Sequence, residues 1–306
     1  MAAGIDKRPV SPGITGFLSP RQRLSREFRL RACVATCAAN FGRVKAPWLF
    51  VLMAALCVHA FAQVPPGVRV STWSGFPRID FDLLGHHAAI VGPKTPATGT
   101  PWIWRTESLE GDTRVDLALL ERGWHVAYFE APGLYGSPKS VALLGRFYAH
   151  VVAQYGLADR MVLEGIGAGG LDALSFTATH PTRVAALYLN GPAVDIRSWP
   201  GRSPASTEWR ECLEAYNLTP EKVATFKGSP LDRIAAAAVA KVPIVVAASQ
   251  TDETVSFAEN TGALEKQYRA LGGPIEVVLK PGTDRLARGA VDPAPIVEFL
   301  LARARM

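Results

Sequence analysis

From Arg78 onward the chain alternates short apolar runs with longer stretches in which apolar residues recur every three to four positions. The short runs predict strands at Arg78 to Leu83, Ala88 to Val91, Pro101 to Arg105, His125 to Glu130, Arg160 to Gly165, Val184 to Leu189, Pro243 to Ala248 and Ile275 to Lys280. The longer ones predict helices at Val115 to Arg122, Val141 to Tyr155, Leu171 to His180, Thr207 to Tyr216, Pro220 to Phe226, Ile234 to Lys241, Ala258 to Leu271 and Pro295 to Ala304. A short turn through Leu84 and Gly85 joins the first two strands as an antiparallel hairpin. Beyond it the order is βαβαβαβ with strands such as VVAA and VVL, which suit a parallel sheet covered on both faces. The helical stretch from about Asp195 to Ala240 interrupts this alternation and is expected to form a small cap at the C-terminal edge of the sheet, where such folds bind ligands.

Composition changes one part of this picture. The 306 residues are 48% hydrophobic and 20% charged, a globular balance that excludes a disordered or fibrous chain. The formal charge of +6 would point to an anionic partner if it were spread over the chain. It is concentrated at the start. Residues 1–62 hold nine basic and two acidic residues, a charge of +7, whereas the remaining 244 hold 24 basic and 25 acidic, a charge of −1. No nucleic-acid partner follows from such a body. The segment after Lys45 is free of charge and apolar from Ala46 to Val58, and Ala60-Phe61-Ala62 precedes Gln63. Basic flank, short apolar run and A-x-A pattern predict a signal peptide cut before Gln63, with export and no stable membrane span afterwards. The run is shorter than the roughly 20 apolar residues of a spanning helix. The expected domains are 1–62, extension and signal, and 63–306, a single folded unit. The 43 residues before Val44 make a long leader, and translation is expected to begin at Val44. Cys212 is then the one cysteine of the exported part, which leaves no internal disulfide and no cysteine metal site.

The strongest local pattern is Glu164-Gly165-Ile166-Gly167-Ala168-Gly169-Gly170, a strand entering a helix through glycines. Two mechanisms use this shape. A nucleophile elbow, G-x-S-x-G, sets its central side chain on a strained turn. A dinucleotide turn, G-x-G-x-x-G, brings helix-start amides to a pyrophosphate, and Gly165, Gly167 and Gly170 satisfy it literally. The dinucleotide reading lacks its usual context: the turn comes late in the chain, and no acidic residue follows the next strand.

Residues 70 to 301 resemble a group of secreted bacterial proteins of the α/β-hydrolase fold. The resemblance is carried by Trp73-Ser74-Gly75-Phe76, Pro101-Trp102-Ile103-Trp104-Arg105, His125-Val126-Ala127-Tyr128, Leu134-Tyr135-Gly136-Ser137-Pro138, the glycine elbow, Asp195 to Gly201, Glu259-Asn260-Thr261-Gly262 and Lys280-Pro281-Gly282. It implies an α/β fold with a mostly parallel sheet, an N-terminal antiparallel hairpin, helices on both faces and a cap. For intact members it implies ester hydrolysis by serine, acid and histidine.

This sequence departs from that chemistry at two of the three positions. Gly167 stands where the resemblance places the serine. The histidine segment reads Thr283-Asp284-Arg285-Leu286, with Arg285 in the histidine region, and all six histidines precede residue 181. Asp252 matches the acid. A hydroxyl is a weak nucleophile without a base, and here both are missing. The amide of Ala168 and one near Thr106 are the expected remnants of an oxyanion site.

The expected function is therefore a non-catalytic protein that binds a carbonyl- or carboxylate-bearing small molecule, or a protein partner, with no cofactor and no metal. The alternatives are a hydrolase with rearranged catalytic residues and a dinucleotide binder. Other groups considered for chemistry are Ser137 (turn residue), Ser175 (helix face), an Asp252 and Asp284 acid pair, Arg285 and Arg288 as anion holders, and His86 with His87, expected to be exposed at a turn. The alternation of Trp102 and Trp104 sends both indoles to one face of a strand, into the core.

Overall fold

A computed structural model describes residues 67–280 and 292–304. The expected signal peptide and its cleavage site, Val44, Asp284, Arg285 and Arg288 lie outside the described residues. The described chain forms one nine-stranded sheet in the order β1-β2-β3-β5-β4-β6-β7-β8-β9. The strands are β1 (Arg69–Trp73), β2 (Phe76–Leu83), β3 (His86–Val91), β4 (Trp102–Arg105), β5 (His125–Phe129), β6 (Met161–Ile166), β7 (Val184–Asn190), β8 (Ile244–Ser249) and β9 (Ile275–Lys280). Strands β4 to β9 are mutually parallel, while β1, β2 and β3 are antiparallel to their neighbours.

Two turns with the same chemistry build the antiparallel end. Trp73 pairs with Phe76 around Ser74 (φ 50°) and Gly75 (φ 81°), and Leu83 pairs with His86 around Leu84 (φ 57°) and Gly85 (φ 81°). Positive φ at both central residues is the two-residue hairpin geometry that matches strand twist, and glycine accepts it without strain. Strand β1 has no counterpart among the elements predicted from periodicity. Four of its five residues are exposed and it pairs on one side only, so it carries no apolar alternation.

The helices are α1 (Arg114–Glu121), α2 (Pro138–Tyr155), α3 (Gly169–Thr179), α4 (Thr207–Tyr216), α5 (Pro220–Val223), α6 (Ala235–Val239), α7 (Thr261–Ala270) and α8 (Ala294–Arg303). Helix α2 starts three residues before its predicted start. Ser137 caps it by accepting a hydrogen bond from the N–H of Ser140, and Pro138 occupies the first turn, where a missing N–H costs nothing. Leu144, Phe147, Leu174, Ala237 and Leu264 from α2, α3, α6 and α7 cover one face of the sheet. Val115, Leu119, Ile296 and Leu300 from α1 and α8 cover the other. Alternation along the strands feeds both cores: Trp102 and Trp104 point into the first and Ile103 into the second. The two indoles are fully buried and stack at 6.0 Å, as their spacing predicts.

Among the described residues no helix is long and apolar enough to cross a membrane.

Candidate functional site

The turn after β6 has the shape its glycines predict. Gly167 sits at φ +53°, in the left-handed region, and α3 begins two residues later. Its N–H donates to the carbonyl of Asn190 at 3.0 Å, and its carbonyl accepts from the N–H of Ala193 at 2.8 Å. The flanking glycines are required sterically. A Cβ on Gly165 would stand 2.8 Å from Gly170 Cα, one on Gly169 2.7 Å from Thr106 Oγ1, and one on Gly170 2.6 Å from the Ala193 carbonyl. All three patterned glycines thus have a conformational or packing role within the elbow itself.

At the apex, where a nucleophile would stand, Gly167 offers no side chain. Among the described residues the N–H of Ala168 finds no hydrogen-bond acceptor, as the first amides of a helix commonly do not. The polar groups of Thr106 itself are spent on the elbow. Its N–H donates to the Glu164 carbonyl at 3.1 Å, and its hydroxyl lies within 3.0 Å of the carbonyls of Glu164 and Gly169. Thr106 ties the loop after β4 to the elbow and presents no spare donor to a ligand.

Asp252 follows β8, two strands from β6 and so about 10 Å across the sheet edge. Its Oδ1 accepts from the N–H groups of Thr254 and Val255 at 2.9 and 2.8 Å, which closes its own loop. The described histidines are engaged elsewhere. His87 Nε2 lies 2.8 Å from Asp80 Oδ1, and His86 packs on Phe129, so both are half-buried where the turn position predicts exposure. Their strand β3 pairs with β5, which draws them against that strand's aromatic residues. His125 is buried at the opposite, N-terminal end of β5, His150 packs on Phe81, and His180 packs on Phe176. Ser137 is a helix cap. Ser175 is buried on α3.

The segment between β7 and β8 closes over this edge. Ile196, Trp209, Cys212 and Val223 form an apolar cluster with Tyr135, Leu171, Ala193 and Val255, which belong to loops and a first helical turn at the C-terminal ends of the strands. Tyr135 is its fastening. Its hydroxyl donates to Glu211 at 2.8 Å, its carbonyl accepts from the Tyr216 hydroxyl at 2.8 Å, and its ring meets Trp199.

Three buried groups near the elbow were not legible in the sequence. Asp172, in the first turn of α3, accepts from the Gly136 N–H at 2.8 Å and from the Ser140 hydroxyl; burial lifts its carboxyl to about 6. Lys280, at the end of β9, donates from inside the sheet edge to Asn190, at the end of β7. Arg105 lies 1% exposed at the end of β4. It donates to Asp116 and to the carbonyls of Ser108, Glu110 and Asp112, and its Nη1 is 3.5 Å from Glu164 Oε2. Among the described residues no donor reaches Asp116 Oδ1 or Glu164 Oε2. Burial, then the Asp116 charge, pushes the Glu164 carboxyl well above the usual carboxylate range, against the opposing pull of Arg105. One guanidinium thus faces both carboxyls inside the β4–β6 ledge. Among the described residues no cluster of three or more histidine, cysteine, aspartate or glutamate side chains could hold a metal.

Compared with known proteins, the chain matches no family model and no curated sequence. Solved structures do share its fold. The Pyrococcus horikoshii acylaminoacyl peptidase aligns at 13% identity with a TM-score of 0.56, over 86% of this chain and 44% of that one. The Porphyromonas gingivalis dipeptidyl peptidase 4 aligns at 16% with a TM-score of 0.54, over 77% and 35%. Est1E from Butyrivibrio proteoclasticus aligns at 15% with a TM-score of 0.50, over 78% of this chain and all of that one. The chain thus spans about a third of the dipeptidyl peptidase and under half of the acylaminoacyl peptidase. At these identities the likeness is one of fold: the chain has the α/β-hydrolase fold, with the elbow, hairpin and mostly parallel sheet that the sequence predicts.

Proposed function

We propose that this α/β-hydrolase-fold chain is an exported protein that keeps a hydrolase scaffold without hydrolase chemistry. It binds a carbonyl- or carboxylate-bearing small molecule, or a protein partner, at the elbow. The observation that carries this reading is the apex of the turn. Gly167 adopts the strained conformation of a nucleophile position while offering no nucleophile. Two features support it: Asp252 spends its Oδ1 on its own loop, and no histidine follows residue 180. The unbonded N–H of Ala168 supports recognition of an acceptor oxygen. Export is supported by the basic flank, the apolar run and Ala60-Phe61-Ala62.

The alternative of a rearranged hydrolase finds a hydroxyl beside a carboxyl at Ser140 and Asp172, but Ser140 is fully buried and out of reach of a substrate. The test is direct. Purified protein is expected to leave short p-nitrophenyl esters untouched and to take no label from a fluorophosphonate probe, while a panel of small carboxylates raises its melting temperature. Turnover or a labelled serine would replace this reading with the rearranged hydrolase. Amino-terminal sequencing of the secreted form is expected to begin at Gln63.

A further inference from the structure

Away from the elbow, a groove of about 380 Å³ lies on the outer surface of α2 and α3, within the size range of small-molecule sites. Its apolar wall is the first half of α2, at Pro138, Val141, Ala142 and Gly145; its polar wall is His180, Arg146, Arg183 and Arg233. No carboxylate lines it. Among the described residues none of the three arginines meets an acidic side chain, whereas the neighbouring Asp232 is already paired with Arg197 at 2.8 Å.

The cations come from three separate segments, and two of them are held in place. The guanidinium of Arg183 lies over the Tyr148 ring, 4.6 Å from its centre. Arg233 Nη2 donates to Thr179 Oγ1 at 3.1 Å. The C-terminal end of α3 draws positive charge, but it supplies only about half an elementary charge against three. Gly145 keeps the groove open: a Cβ there would meet nothing nearer than His180 Nε2, at 4.0 Å.

We infer that this groove binds a small organic phosphate monoester, with the phosphate among Arg146, Arg183 and Arg233 and the carbon portion along α2. A phosphate carries close to two negative charges and accepts the paired N–H bonds a guanidinium offers, which a carboxylate matches with half the charge.

The test is calorimetric titration of the full chain with phenyl phosphate, inorganic phosphate, benzoate and heparin. Phenyl phosphate is expected to bind most tightly and more weakly as salt is raised, and to shift the His180 imidazole resonances, assigned with H180N. R183Q and R233Q should each weaken it about tenfold. Two further variants separate binding from folding. R146Q removes an exposed guanidinium with no bond to lose and should weaken binding with an unchanged melting temperature. G145L fills the groove without touching a charge and should abolish it. Absence of phenyl phosphate binding, equal binding of benzoate, or unchanged affinity in R146Q and G145L overturns the proposal. Binding of heparin alone overturns it in favour of a polyanion surface.

Discussion

The carbonyl of Gly167 accepts a 2.8 Å hydrogen bond from the N–H of Ala193. With the bond from the Gly167 N–H to Asn190, this holds the elbow by main-chain contacts to the end of β7 and the loop after it, independently of any side chain at residue 167. The shape of the turn is therefore set by main-chain bonds and not by a side chain at its apex.

Gly167→Ser is expected to fold with a loss of about 1 kcal/mol, the cost of a side chain at positive φ, and to hydrolyse p-nitrophenyl acetate no faster than buffer. Gly170→Ala should cost more, about 2 kcal/mol, because its Cβ meets the Ala193 carbonyl at 2.6 Å. Denaturant melts and an esterase assay check both. An active single serine variant would mean that a base other than histidine serves the elbow.

The Arg105, Asp116 and Glu164 cluster should be asymmetric to mutation. Arg105→Met leaves a buried carboxylate without its cation and is expected to destabilise by about 3 to 5 kcal/mol. Glu164→Gln mimics the protonated acid and should fall within about 1 kcal/mol of the parent. Equal losses in urea unfolding would show that Glu164 is ionised.

Two opposed groups shift stability between pH 4 and 6.5. Burial raises Asp172 from 3.8 to about 6, so its contribution is full below pH 4 and is lost as pH rises through 6. Burial lowers His125 from 6.5 to about 4, so its contribution is present above 6.5 and is lost as pH falls through 4. Each amounts to ~3 kcal/mol. Asp172→Asn should therefore lose stability on acidification faster than the parent, and His125→Gln more slowly. Urea midpoints at pH 7 and 4.5 measure this; parallel pH profiles would refute it.

Cys212 is buried in the cap cluster, and burial pushes its thiol up to about 12. Site-resolved mass spectrometry after iodoacetamide treatment at pH 8 should find it unmodified in the native protein and modified in urea. Rapid native labelling would mean that the cap opens.

The sequence by itself determined the strands, the helices and the elbow. A run such as Ile244-Val245-Val246-Ala247 is apolar throughout because both faces of its strand are covered, and glycine spacing at residues 165, 167 and 170 fixes a local backbone shape that neighbours in sequence can dictate. The absence of a side chain at Gly167 and of any histidine after residue 180 is likewise read without coordinates. The sequence could not mark β1, whose exposed residues carry no period. Only the tertiary structure decided where polar groups are spent. The Thr106 N–H goes to Glu164, 58 residues away, the Asp252 carboxylate turns onto its own loop, and the carboxyl in the apolar run Val162-Leu163-Glu164 shares its buried volume with Asp116 from a helix, with Arg105 from a neighbouring strand as their common cation. The three arginines of the α2–α3 groove likewise meet only after folding. Backbone preference is a property of adjacent residues, whereas desolvation and charge pairing depend on which distant segments share a buried volume.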